Sequence, residues 1–178
     1  MPFLETAYGL PRTHAATLTS MLFVGWGVGA PLVGWLSDRI GRRKAPLLAG
    51  LALETVALAA LVYIPGLPVV ALAGLCFLVG FLGSSQIVCF ALAKENHRAE
   101  LSGTALGFVN ALVTGAGALF QPLVGALLDL AWTGETALGA RVYDTGAYHV
   151  ALASLIVSGF AGFLCLTAVR ETYCRPQA

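Results

Sequence analysis

The chain has 178 residues, of which 58% are hydrophobic and 11% are charged, and its formal net charge is +1. Soluble domains carry charged residues at about a quarter of their positions, so this composition excludes an ordinary soluble globular protein. The net charge by itself indicates no partner, and no basic patch of the kind that binds nucleic acid is visible.

Long stretches free of Asp, Glu, Lys and Arg predict an all-α, multi-pass membrane protein. A helix needs roughly 20 apolar residues to cross the hydrocarbon core. The uncharged stretch 55–93 is too long for one crossing, and Pro65-Gly66-Leu67-Pro68 interrupts it as a turn does. Five crossings are therefore expected. Their predicted bounds are 15–37, 45–64, 67–93, 101–130 and 148–169, with an outer loop at 1–14 and a cytoplasmic tail at 170–178.

The first residues look like the outer end of a helix followed by a loop. The segment Tyr8-Gly9-Leu10-Pro11-Arg12 has turn chemistry, and Thr13 is expected to cap the first crossing. Gly25 and Gly29 follow at the spacing that lets helix backbones approach closely in lipid, which predicts a packing face on this helix.

The segment that joins the first two crossings is Gly34-Trp35-Leu36-Ser37-Asp38-Arg39-Ile40-Gly41-Arg42-Arg43-Lys44. Four of the ten Lys and Arg residues lie here, as in a short loop held on the cytoplasmic side of a membrane. The pattern G-x-L-S-D-R-x-G-R-R-K also resembles the signature loop of the major facilitator superfamily of transporters. The alternative interpretation is an ordinary basic loop with a turn glycine.

The resemblance implies a position for every helix. The five crossings are similar to helices 8–12 of a twelve-helix transporter, and residues 1–10 to the outer end of helix 7. The segments 103–110 and 120–125 resemble helix 11 of bacterial members that carry small organic solutes. A six-helix N-terminal half is then expected as a partner outside this chain. The resemblance assigns the signature loop, and with it gating, to Gly34, Asp38, Arg39, Gly41, Arg42 and Arg43.

The distribution of basic residues predicts the orientation. Eight of the ten fall on one side of the predicted membrane, and cytoplasmic loops carry the excess of Lys and Arg. The signature loop, the 94–100 loop and the C-terminus are therefore expected in the cytoplasm of a bacterium, with the protein in its inner membrane. The eight are Arg39, Arg42, Arg43, Lys44, Lys94, Arg98, Arg170 and Arg175, and the other two are Arg12 and Arg141.

Asp38 lies at the inner end of the first crossing. The resemblance implies that this carboxylate contacts a helix N-terminus of the opposite half, where unpaired N–H groups stabilise an anion. The alternative is a local cap, or a salt bridge with Arg39 or Arg42.

Two further carboxylates stand near the same predicted face. The resemblance implies that Glu95 or Glu100 pairs with Arg42 or Arg43.

Small and polar residues recur at steps of three and four along the fourth crossing, which puts them on one helix face. Such a face either packs on another helix or borders an aqueous cavity, and packing is expected for the glycines. For Asn110 and Gln121, cavity lining and packing remain open, because an amide in the membrane needs a partner. The set is Gly103, Gly107, Asn110, Thr114, Gly117, Gln121 and Gly125.

Two other groups lie deep in the predicted crossings. Gln86 and Ser85, at the middle of the third crossing, are candidate substrate-cavity residues, with interhelical hydrogen bonding as the alternative. Glu54 is the only carboxylate deep in a crossing, which makes it a candidate for proton coupling. Because the resemblance places its helix at the periphery, a structural or partly neutral role is the favoured alternative.

The pattern predicts a secondary active transporter of a small organic solute, present as a C-terminal fragment. An amino acid, a dipeptide, a sugar acid or another organic anion is the expected substrate, and the lipid bilayer the expected surroundings. The alternative is a non-transporting membrane subunit or the relic of a truncated transporter gene. No nucleophile–base set, phosphate loop or metal-ligand spacing is present, so no enzyme activity, cofactor or metal is predicted.

Overall fold

A computed structural model describes residues 2–137 and 139–175. Within these residues, five helical spans are long and apolar enough to cross a membrane, which confirms the predicted all-α membrane fold. The helices are α1 (Pro2–Tyr8), α2 (Arg12–Ile40), α3 (Lys44–Tyr63), α4 (Val69–Gly83), α5 (Ile87–Glu95), α6 (Ser102–Leu130) and α7 (Thr145–Ala168), with 3-10 turns at Ser84–Gln86 and Ala99–Leu101. Strands β1 (Thr136–Ala137) and β2 (Ala140–Arg141) form an antiparallel hairpin between α6 and α7.

The N-terminal segment is more helical than the predicted outer loop at 1–14. Residues 2–8 form α1, whose Leu4 is buried. Helix α2 begins at Arg12 rather than at residue 15, so Thr13 lies inside the helix and the prediction that it caps the helix is wrong. Pro11 holds the cap position with φ −57°, and its carbonyl accepts a hydrogen bond from Ala15 N at 3.0 Å. The ring of proline fixes φ near this value, and proline has no N–H group that would be left unsatisfied at the start of the helix.

Other helices begin or end a few residues away from the predicted bounds. Helix α7 begins at Thr145 rather than 148, because Asp144 Oδ1 accepts a hydrogen bond from Ala147 N at 2.8 Å. The third crossing is two helices, α4 and α5, separated by the 3-10 turn, and it continues to Glu95 rather than ending at 93. Residues 176–178 of the predicted tail lie outside the described residues.

Helices α2 and α4 pack through glycine, as the spacing of Gly25 and Gly29 predicts. A methyl group placed on Gly25 would collide with the carbonyl oxygen of Phe77. A methyl group on Gly80 of α4 would likewise collide with the backbone of Leu22. The absence of side chains at these positions lets the two backbones touch, which is how helices associate in lipid.

Two clusters of buried apolar residues pack the helices together, one at each end of the bundle. At one end, Leu4 of α1 packs with Leu18 of α2 and Leu72 of α4, and Tyr8 Oη donates a hydrogen bond to the carbonyl of Ile64 at 2.9 Å. At the other end the buried residues are Leu47, Val88 and Leu92. The signature loop lies at this second end, where Arg43 contacts Glu95 of α5.

Helix α6 lies at the edge of the bundle, where it contacts α5 and α7, and none of its residues is buried. The glycines of its small-residue stripe make no close contact with the described helices of this chain, so the expectation that they pack on another helix stays a prediction. A Cβ atom added at any of the four would meet nothing within 4 Å. The four are Gly103, Gly107, Gly117 and Gly125.

Candidate functional site

The signature loop folds around the side chain of Arg43, which lies directly before α3. Its guanidinium contacts Glu95 at the end of α5, with Nε 3.0 Å and Nη2 2.7 Å from Oε1. The side chains of Arg43 and Glu95 are only 10% and 11% exposed, so this is a buried ion pair. Of the pairings that the resemblance implies, the structure contains Glu95 with Arg43.

The remaining guanidinium nitrogen binds the end of α2. Nη1 donates to Ser37 Oγ at 3.0 Å and to Asp38 Oδ1 at 2.5 Å. The local partner of Asp38 is therefore Arg43 rather than Arg39 or Arg42, because the chain reverses at Gly41 and brings residue 43 back over the helix end. The Asp38 side chain remains 68% exposed, so the carboxylate is accessible from outside the bundle.

These contacts keep Arg43 charged. Its hydrogen bond to Glu95 raises the pKa of the guanidinium, and the bond to Asp38 adds to this, while burial acts in the opposite direction. Hydrogen bonds between ionised partners are shorter and stronger than those between neutral groups.

The other residues of the signature loop shape the turn. Gly41 ends α2 with φ +65°, a left-handed conformation that glycine adopts without strain. The Arg39 guanidinium lies over the Trp35 ring, 5.1 Å from its centroid. Arg42 is exposed, and a Cβ added at Gly34 would meet nothing within 4 Å, so neither position is packed within this chain.

The segment after α7 folds back onto this cluster. Glu171 accepts hydrogen bonds from the backbone N–H groups of Arg43 at 2.8 Å and Lys44 at 3.0 Å, and so caps the start of α3. Thr172 Oγ1 donates to Glu95 Oε2 at 2.5 Å. Sequence reasoning missed both residues. The available signal was a polar Glu-Thr pair directly after the last crossing, on the same predicted side as the signature loop.

We expect Glu171→Ala to destabilise the bundle by about 1 kcal/mol, the usual cost of losing a helix cap. Burial acts to raise the pKa of Glu171, but the four backbone N–H groups that it binds outweigh this and lower the pKa. Because the folded pKa lies below the unfolded value, the stabilisation is complete above the unfolded pKa and is lost as the pH falls through the folded pKa.

Thermal unfolding in detergent at a series of pH values measures this effect. The matched control is Glu100→Ala, because Glu100 is exposed. Equal unfolding temperatures for the two variants at neutral pH would contradict the capping role.

A second polar region lies in the middle of the bundle, at the 3-10 turn between α4 and α5. Glu54 and Gln86 together border three clefts, of about 680, 290 and 470 Å³. The largest cleft lies between α3, α6 and α7, and the 470 Å³ cleft reaches Phe23 and Trp26 of α2. Ser85 is buried and borders only the smallest of these three.

Glu54 lies directly against the backbone at Gly83, the last residue of α4. A Cβ atom added there would be 2.7 Å from Glu54 Oε1. The carboxylate therefore approaches the point where the α-helix gives way to the 3-10 turn, and the structure brings it together with Gln86.

The two amides of α6 lie elsewhere. Asn110 and Gln121 are exposed, and neither borders the three clefts around Gln86. The predicted substrate-cavity residues thus form two separate groups within this chain.

Five long apolar helices with a folded, charged loop at one end define a multi-pass, all-α membrane protein. A family model described as the Major Facilitator Superfamily matches residues 1–173. The chain belongs to the major facilitator superfamily, which confirms the resemblance in the signature loop.

Two known proteins are similar to this chain over most of its length. A gentisate transporter of Corynebacterium glutamicum is 33% identical over 156 residues, which are 86% of this chain and 34% of that protein. The xylose transporter XylE of E. coli, in a partially occluded inward-open conformation, superposes with a TM-score of 0.71 at 17% identity. This superposition covers 96% of this chain and 44% of XylE, and it shows the fold alone. The chain thus spans less than half the length of either protein.

Proposed function

We propose that this chain is the C-terminal half-bundle of a secondary active transporter for a small organic solute. The observation that carries the proposal is the complete signature-loop network around Arg43, in a chain of the major facilitator superfamily. The solute is an amino acid, a dipeptide, a sugar acid or another organic anion. The 33% identity with a gentisate transporter favours the organic anion. Such transport needs no catalytic residue and no cofactor.

The proposal includes a second half-bundle as partner. Transporters of this kind bind solute near the midplane, between two halves that move against each other. Two surfaces suit this role: the exposed face of α6, with Asn110 and Gln121, and the exposed carboxylate of Asp38. We propose that Asp38 meets a helix N-terminus of the other half in the outward-facing state, and that Gln86 and Ser85 contact the solute.

Uptake of radiolabelled gentisate into membrane vesicles tests the proposal. Vesicles with this chain alone are expected to match empty vesicles, because the second half is absent. Extending the gene upstream, or co-expressing the missing helices, should give saturable uptake. Asp38→Asn should then reduce it, whereas Glu135→Gln, in the loop after α6, serves as the control.

The uptake experiment also distinguishes the proposed half-bundle from the alternative functions. Saturable uptake by the 178-residue chain alone would contradict the half-bundle and favour a self-sufficient oligomer. Absent uptake after the missing helices are restored would favour the alternative function, a non-transporting subunit or a relic of a truncated gene.

We further propose that the protein lies in the inner membrane with its C-terminus in the cytoplasm. The eight-to-two distribution of basic residues supports this orientation. Reporter fusions after Cys174 and within the 131–144 loop should therefore give opposite signals, the first cytoplasmic and the second external. An external C-terminus would contradict the five-crossing orientation.

A further inference from the structure

We propose that the 470 Å³ cleft bordered by α2, α3 and α4 binds an organic ammonium group, with Glu54 as its counter-charge and Phe23 and Trp26 as its aromatic contacts. The inference rests on the proposed function, because it takes the ammonium group to be part of the transported solute. It narrows the solute classes given above to amino acids and dipeptides, which carry such a group.

Glu54 places a carboxylate in the middle of the bundle. It lies ten residues into the 20-residue helix α3, roughly 15 Å from either end at the rise of an α-helix. Carboxylates at this depth are rare, pair with an opposite charge and commonly mark the path of a substrate. The other carboxylates of the five candidate spans stand at helix ends, namely Asp38, Glu95, Glu100 and Asp129.

The described part of the chain supplies no cation to this carboxylate. None of the described residues that border the three clefts is Lys, Arg or His. The three ion pairs between described residues also leave Glu54 out. A ligand with a positive charge can therefore provide the partner that these residues do not.

The hydroxyl groups of the largest cleft are already bound within their own helices. Thr55 Oγ1 donates to the carbonyl of Leu51 at 2.8 Å, and Ser158 Oγ donates to that of Leu155 at 2.7 Å. Gln86 borders all three clefts, and its amide can both donate and accept. A carboxylate accepts hydrogen bonds at two oxygens and an ammonium group donates three, so both side chains can bind the same ammonium group.

Two aromatic rings add to this site. Phe23 and Trp26 are three residues apart on α2, which places them on one helix face, and both border the cleft with Glu54. Phe23 is 77% exposed and Trp26 is 45% exposed, so the described chain leaves much of both rings free. Aromatic faces attract organic cations, tryptophan most strongly, and such sites recognise substituted ammonium groups.

The same charges disfavour a plain organic anion in these clefts. A solute carboxylate beside Glu54 would meet a like charge, which raises the free energy of binding. An amino acid or a dipeptide avoids this by turning its ammonium group toward Glu54 and its carboxylate toward the second half-bundle. The similarity to a gentisate transporter favours the anion instead, so the experiments compare amines with acids.

Titration of the 178-residue chain in nanodiscs with three probes tests the site. Phenethylamine, 2-phenylethanol and phenylacetate share an aromatic ring and differ in charge, and the NMR signal of the Gln86 side-chain amide measures their binding. We expect phenethylamine to bind at least about tenfold more tightly than the other two, because only its charge is opposite to that of Glu54. Equal affinities would overturn the inference and favour aromatic rings that face lipid beside a Glu54 that only packs against Gly83.

Variants assign the effect to particular side chains. Glu54→Gln should lose the preference for phenethylamine over 2-phenylethanol, whereas Glu54→Asp, which keeps the charge, should retain it. Trp26→Leu should weaken phenethylamine binding by about twofold to thirtyfold, the range for a cation over an aromatic ring. Trp35→Leu is the matched control, because that exposed ring lies under Arg39 and borders none of the three clefts. An unchanged preference in Glu54→Gln, with the indole signals of Trp35 and Trp132 in place to show that the chain is folded, would contradict the site.

Transport gives a second readout, in vesicles that also hold the missing helices. Labelled phenylalanine should be taken up in preference to gentisate, and phenethylamine should compete with it. If gentisate is taken up and the nanodisc titration shows no preference for the amine, this inference fails and the transporter proposal stands. If no solute is taken up but the preference for the amine still depends on Glu54, the transporter proposal fails and the ammonium site stands.

Discussion

Gly80→Leu is expected to destabilise the bundle by at least about 3 kcal/mol, the upper part of the range for overpacking. Gly80 is buried where α4 meets α2, and any Cβ there would collide with the backbone at Leu22. A backbone collision cannot be relieved by rotating a side chain, so the two helices must separate. Thermal unfolding of the purified chain in detergent measures the loss.

The matched control for this variant is Gly74→Leu, on the same helix. A Cβ at Gly74 meets nothing within 4 Å, so the change removes a glycine from a helix without adding a collision. Replacing glycine inside a helix generally stabilises it, by up to about 1 kcal/mol. Gly74→Leu should therefore be neutral or stabilising, and an equal loss in both variants would show that the α2–α4 contact is not the cause.

Arg43→Met is expected to cost about 3–5 kcal/mol of stability, the usual effect of removing one partner of a buried ion pair. The substitution leaves the carboxylate of Glu95, only 11% exposed, without its bidentate partner. It also removes the link from α5 to Ser37 and Asp38 at the end of α2. Unfolding in detergent again provides the measurement.

Two comparisons separate the buried charge from a general loss of packing. Adding Glu95→Gln to Arg43→Met should restore much of the stability, because the unpaired charge is then absent. Arg42→Met should have little effect, because that side chain is exposed beside the same turn. A double variant no more stable than Arg43→Met would contradict the ion-pair account.

Several features of the site could be predicted from the sequence. The resemblance predicts that a carboxylate after the third crossing pairs with a basic residue of the signature loop. It does not decide whether that residue is Arg42 or Arg43. The choice depends on Gly41, whose left-handed turn sends Arg43 inward and leaves Arg42 exposed. One residue of register along the loop decides which guanidinium is buried.

Other features depended on contacts between distant parts of the chain. The capping of α3 by Glu171 joins residues 128 positions apart, and no local pattern encodes it. For the small-residue stripe on α6, the local pattern is visible in the sequence but the packing is not. Its periodicity identifies a common face, but only the packed bundle shows that its glycines have open space around them within this chain.

The sequence by itself determined the class of protein, the five crossings and the family, because long uncharged stretches and a fixed loop pattern are local properties of the chain. It also singled out Glu54, because a carboxylate deep in an apolar run is conspicuous without any structure. Only the tertiary structure placed Glu54 against Gly83 and beside Gln86, and joined Arg43, Glu95 and Thr172 in one network. The physical reason is that burial and hydrogen bonding depend on which helix faces meet, and several faces of an almost uniformly apolar helix can pack with little difference in hydrophobic energy.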